Sequence, residues 1–214
     1  MGSVERRAGR GSLLLALLLV LAAPAAGTGE QPRAARPAHW AQPLERPGLP
    51  NLHRVSPALY RGAQPEVEGF RALVEMGIMT VVNLRQLHSD SDEMKQAGVS
   101  DKLEYVHIRF NTFHPEDEDV VAFLKVMADP SRHPVFLHCK HGADRTGMMT
   151  AIYRIVFQGW SKQQALEEMT RGGFGFHKVW QNLLRYLRRA DINSLRKQAG
   201  IDTAKTTPDT RPPR

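Results

Sequence analysis

The sequence holds a single cysteine, Cys139. One thiol closes no internal disulfide, so a disulfide-stapled scaffold is excluded, and the thiol is either a buried spectator or a reactive group. No apolar run is long: the longest, Leu13 to Ala23, has eleven residues, too few to span a bilayer core stably. Basic charge is also missing where it would matter. Of the formal net charge of +7, five units lie from Arg185 onward and two in the leader with Arg6, Arg7 and Arg10, so the middle of the chain is about neutral. A basic footprint for nucleic acid is therefore not supported. No internal repeat is visible, and no second Cys or His cluster stands at zinc spacing.

What is present begins with that leader. Three arginines, the short apolar run and the small residues Ala23–Ala25 have the layout of an export signal, expected to cover residues 1–25. An uncleaved anchor is the alternative reading, and Arg6-Arg7 is at most a twin-arginine hint. The protein is expected to be exported, with no stable membrane span after cleavage. Residues 26–53, rich in Pro, Ala and Arg without periodicity, read as a flexible leader. Residues 191–214 read as a polar, basic and disordered tail.

Between them, residues 54–190 alternate strand and helix signals. Pro65 is placed to open a helix whose apolar face is Val67, Phe70, Leu73 and Val74, and Gly77 to stop it. Ile78 to Leu84 reads as a buried strand and Leu103 to Ile108 as another. Acidic residues 116–119 lead a helix through Met127, and Pro134 to Leu137 is a short apolar strand. Thr146 to Phe157, apolar nearly all round, is a buried helix. Ser161 and Gln164 form a capping box, and Val179 to Arg189 is a final amphipathic helix. This alternation predicts a single α/β domain, with a mostly parallel sheet of four to five strands covered by helices on both faces.

The chemistry concentrates in His138-Cys139-Lys140-His141-Gly142-Ala143-Asp144-Arg145-Thr146-Gly147. A buried strand, a tight loop and a helix start make an anion cradle: loop amides point inward and the helix dipole adds positive charge. Lys140, His141, Gly142 and Ala143 supply the amides. Five residues separate Cys139 from Arg145, enough chain to wrap one tetrahedral anion. A thiol at a helix N-terminus beside cations ionises readily and attacks phosphorus, giving a covalent intermediate that water hydrolyses. Arg145 is a planar fork for two oxygens. Thr146 is placed to donate to the sulfur, and His138 to orient the loop.

His-Cys-x5-Arg-Thr-Gly resembles the signature of the protein tyrosine and dual-specificity phosphatases. Leu59-Tyr60-Arg61-Gly62-Ala63-Gln64-Pro65 and Val81-Val82-Asn83-Leu84-Arg85 are similar to the opening of the small atypical dual-specificity phosphatases of plants, fungi and bacteria. The resemblance implies phosphomonoester hydrolysis without metal or cofactor on a compact α/β domain. It also exposes a departure. The larger family takes a general-acid Asp from about thirty residues before the cysteine, where this chain reads His107-Ile108-Arg109-Phe110-Asn111-Thr112. Replacements are Asp144 inside the loop, the position used by some related phosphatases, or Asp117, Asp119 or His114. Acids on a helix's first turn already have a structural reason in the dipole.

An inactive phosphate-binding module would lack Cys139 or Arg145, and a rhodanese-like sulfurtransferase would lack the Thr146-Gly147 pair. Metal ligation by His138, Cys139 and His141 is disfavoured on a loop so tight. Arg85, at a strand end, is either a second substrate contact or an ordinary exposed cation. Lys140 and His141 are more basic than a plain monophosphate requires. The expected substrates are therefore a phosphorylated protein or an inositol phosphate or phosphoinositide.

Overall fold

In the computed structural model the described residues are 1–2 and 36–201. The stretch expected as an export signal falls, apart from Met1 and Gly2, outside them. The unit from Arg36 onward holds all the elements below. Among the described residues no helix is long and apolar enough to cross a membrane.

Strands β1 (Gln42–Pro43), β2 (His53–Arg54) and β3 (Leu59–Gly62) come first, then helix α1 (Val67–Glu75) and strand β4 (Thr80–Asn83). Helix α2 (Ser91–Ala97), strand β5 (Glu104–His107) and helix α3 (Asp117–Ala128) follow. Strand β6 (Val135–His138) leads to helices α4 (Asp144–Gln158), α5 (Lys162–Arg171), α6 (Gln181–Arg189) and α7 (Ile192–Gln198). They form one mixed sheet of six strands in the order β1-β2-β3-β6-β4-β5. The last four are parallel and β1 and β2 are antiparallel, so the count exceeds the expected four to five by two short edge strands.

Alternation along the strands splits the core in two. Val81 and Phe136 face α1 and α2 with Phe70, Leu73 and Met94, while Val82, Val135 and Leu137 face the layer of α3 to α7. All four parallel strands end at one edge of the sheet, where β6 runs into the cysteine loop. Helix α4 is buried on nearly every side, as its composition requires. The Ser161–Gln164 capping box is present at α5.

Three boundaries differ from those read in the sequence. The stretch expected as flexible leader is folded from Arg36: Leu49 and Leu52 are buried, and the Ala41 N–H donates to Glu168 Oε1 at 2.6 Å. Polar contacts to residues far along the chain fix it, which leaves no periodic trace. The tail expected to be disordered from 191 instead forms α7, capped by the Asp191 side chain and anchored by a fully buried Leu195. One leucine on a two-turn helix is too little pattern to see. Helix α1 begins at Val67, beyond Pro65, because the Glu66 N–H bonds the Gly48 carbonyl at 2.9 Å and keeps the chain extended.

Candidate active site

The loop expected to hold an anion joins β6 to α4. Cys139 is buried at its start, and Asp144 and Arg145 lie on the first turn of the helix. Gly142 has φ +68, and a Cβ there would meet the Gly62 carbonyl carbon at 2.4 Å, so only glycine fits. Strand β3 braces the loop at that contact. Among the described residues, the backbone N–H groups of Lys140 to Arg145 donate to no carbonyl or side chain. A part-buried, amide-rich turn at a helix N-terminus with its donors free is built for an anion. Arg145 is set beside it by a 3.2 Å bond from Nη1 to the Leu84 carbonyl at the end of β4.

Beneath the loop lies Arg61 from β3, fully buried. Its Nη2 donates to the Gly142 carbonyl at 2.6 Å, and its guanidinium lies 3.8 Å over the Phe174 ring. Among the described residues, Nε and Nη1 of Arg61 have no hydrogen-bond partner. Burial pushes its pKa down to about 10, against the pull of Glu168 and Cys139, so it stays cationic at neutral pH. A second brace comes from Asn51, whose side-chain amide donates to the His141 carbonyl at 2.9 Å and the Phe174 carbonyl at 3.0 Å.

His138, which leads into the loop, is held by a buried carboxylate. Its Nε2 donates to Asp90 Oδ2 at 2.8 Å, with both side chains fully buried. Burial alone would raise the Asp90 pKa, but the hydrogen bond and charge of His138 and the bond from Gln64 outweigh it and hold the carboxylate low. Gln64 and Asn83 both donate to Asp90 Oδ1, at 2.8 and 3.1 Å. Arg85 belongs to this network, donating to Gln64 Oε1 at 3.0 Å. Among the described residues the buried Thr146 hydroxyl has no hydrogen-bond partner, and the expected bond to sulfur is not made here.

Asp144 is buried and both of its oxygens are engaged. Oδ1 accepts the His177 N–H at 2.9 Å and Oδ2 accepts Nδ1–H of the same residue at 2.9 Å. His141 is exposed on the loop, its pKa lowered by partial desolvation and by the neighbouring His177 and Lys140. Asp117 accepts the Tyr186 hydroxyl at 2.6 Å, which accounts for it structurally. Asp119 is raised by burial and by Glu116 and Glu118, while His114 is exposed, 3.9 Å from Glu116.

With this geometry the comparisons with known proteins agree. The family model described as "DSP-PTPase phosphatase fused to NAD+ Kinase" matches residues 48–184. The chain belongs to this dual-specificity-type phosphatase family. It is a phosphoric monoester hydrolase. It is 40% identical over 158 residues to the dual specificity protein phosphatase TpbA of Pseudomonas aeruginosa, covering 73% of this chain and 69% of that one. The crystal structure of a Cys-to-Ser form of TpbA in complex with phosphotyrosine superposes with a TM-score of 0.67 at 34% identity, covering 78% of this chain and all of that one. Inositol diphosphatase DSP5 of Arabidopsis thaliana is 30% identical over 159 residues, 69% of this chain and 73% of its own.

Arg61, Asn51, Asp90 and His177 escaped the reading of the sequence. Arg61 gave one signal: an arginine between apolar residues in a short strand needs a buried reason. The other three lie in loops with no pattern.

Proposed function

We propose that this phosphatase works through Cys139 as nucleophile, with the loop amides and Arg145 holding the phosphoryl oxygens and Asp144 as proton donor to the leaving group. The observation that carries this reading is the set of free amides from Lys140 to Arg145, next to a buried thiol and a guanidinium fixed by Leu84. Donors already aimed at the developing charge lower the barrier without reorganisation. Thr146, with its hydroxyl unpaired, is available to the sulfur when it leaves phosphorus in the second step. His177 holds Asp144 in place.

The favoured substrate is a phosphorylated protein, on the strength of the TpbA relationship and the phosphotyrosine in its complex. A second reading, an inositol phosphate, is favoured by the exposed Lys140, His141 and His177 around the loop and by the name of the Arabidopsis relative. The leader supports export of the protein.

Cys139→Ser should abolish turnover while vanadate binding remains measurable; a Ser variant retaining more than a few per cent of activity would sink the mechanism. A panel of phosphopeptides and inositol phosphates, ranked by kcat/KM on the wild-type chain, separates the two substrate readings. For the acid, Asp144→Asn should slow hydrolysis of an alkyl phosphate by roughly two to four orders of magnitude and that of p-nitrophenyl phosphate far less. Equal loss on both substrates, with weaker phosphate binding, would make Asp144 a brace. Leaving-group dependence at Asp119 instead would move the acid to α3.

A further inference from the structure

Three side chains able to ligate a metal meet at the mouth of the loop from separate parts of the chain. His141 lies in the loop, Asp144 opens α4, and His177 lies between α5 and α6. One ligand atom from each falls within 4.8 Å of the others. The two imidazoles are exposed and their ring centroids are 5.4 Å apart, and Asp144 Oδ2 is 2.9 Å from His177 Nδ1.

We propose that His141, Asp144 and His177 form a binding site for a divalent transition metal, zinc above all, and that an ion held there closes the catalytic mouth. The proposal rests on the phosphatase reading of the adjacent loop. Two imidazoles and one carboxylate suit zinc, nickel or copper and not magnesium or calcium, which take oxygen ligands. Zinc bonds of about 2.0–2.1 Å put tetrahedral ligand atoms about 3.4 Å apart. The widest separation must therefore close by somewhat more than an ångström, while the Asp144–His177 pair at 2.9 Å opens slightly. His141 can supply that movement, since its ring is exposed and, among the described residues, makes no hydrogen bond.

The hydrogen shared between Nδ1 of His177 and Asp144 is what the ion displaces. When metal takes Nδ1, the ring proton moves to Nε2, so the imidazole stays neutral and no proton is lost. Three protein ligands leave a fourth position, which water or a phosphoryl oxygen can fill. An ion there covers the loop and ties up Asp144, so it inhibits.

The decisive experiment measures binding in the Cys139→Ser chain, where the thiolate cannot be the ligand. Zinc alone is titrated by calorimetry, and cobalt alone by its visible absorption. One equivalent per chain is expected, weakened at least about tenfold by His141→Ala and by His177→Ala. His177→Ala also removes two bonds to Asp144, so His141→Ala, on an exposed ring, is the variant that decides if the other fails to fold. No binding to Cys139→Ser, or binding unchanged in His141→Ala, overturns the site. In the chain with Cys139 intact, zinc should inhibit p-nitrophenyl phosphate hydrolysis and EDTA should restore it. Binding without inhibition would refute closure of the mouth. A chain with no turnover at all would sink the phosphatase reading, yet the titration would still decide the metal site.

Discussion

Helix α4 carries a buried arginine system at each end, and the two are built on opposite principles. Toward its C-terminus, Arg154 donates Nε and Nη2 to Glu168 at 2.8 and 2.6 Å and Nη1 to Gln158 at 2.6 Å, with its guanidinium 4.2 Å over Trp160. Glu168 also accepts the Ala41 N–H, so every group is paired. Toward its N-terminus, Arg61 makes one short bond to the loop and leaves Nε and Nη1 without partners. Near it the Thr146 hydroxyl and Nδ1 of His138 are buried and unpaired too. A buried polar group left unsatisfied costs free energy unless something arrives to use it. One end of the helix is spent on stability; the other holds charge and donors in reserve for an anion.

The largest test of this contrast is Glu168→Ala. Stranding Arg154 should cost about 3–5 kcal/mol of stability, measured by urea unfolding. Phosphate binding by the folded fraction should not weaken, since the negative charge that faces Arg61 is lost and the cation is kept. Arg61→Met is the converse. Removing a half-satisfied buried cation and keeping its volume should leave stability near neutral. Vanadate affinity should fall about tenfold or more, the effect of one unit charge acting over several ångströms at an effective dielectric of about 20. If Arg61→Met unfolds the chain as Glu168→Ala does, the contrast fails.

Smaller still is the effect of pH through His53, which packs 4.7 Å from Phe174 near the same end. Burial, first, lowers its pKa from 6.5 to about 4. Below pH 6.5 the unfolded chain takes up a proton that the folded one refuses until about pH 4, so stability present above 6.5 is lost across that window. His53→Gln should flatten that part of the stability profile. The C-terminus separates a neutral deletion from a costly one. Removing residues 202–214 should change neither folding nor turnover of a small substrate. Ending the chain after Ser194 removes the buried Leu195 and should cost about 2–5 kcal/mol by thermal unfolding.

The sequence by itself determined the fold class and the loop. Apolar runs of strand length alternating with helical faces are local patterns, and β4, β5, β6 and α4 fall within a few residues of where those patterns lie. The loop was legible because its chemistry is contiguous: Cys139 to Arg145 is a single stretch of backbone. Tertiary structure alone decided what surrounds it. Asp90 reaches His138 from another loop, Asn51 and Arg61 brace the loop from segments far upstream, and His177 returns to Asp144 from beyond α5. The same holds for the folded ends at Ala41 and Leu195, each fixed by a partner distant in sequence. Periodicity records which face of an element is buried; it carries no trace of a single polar contact between residues far apart in the chain.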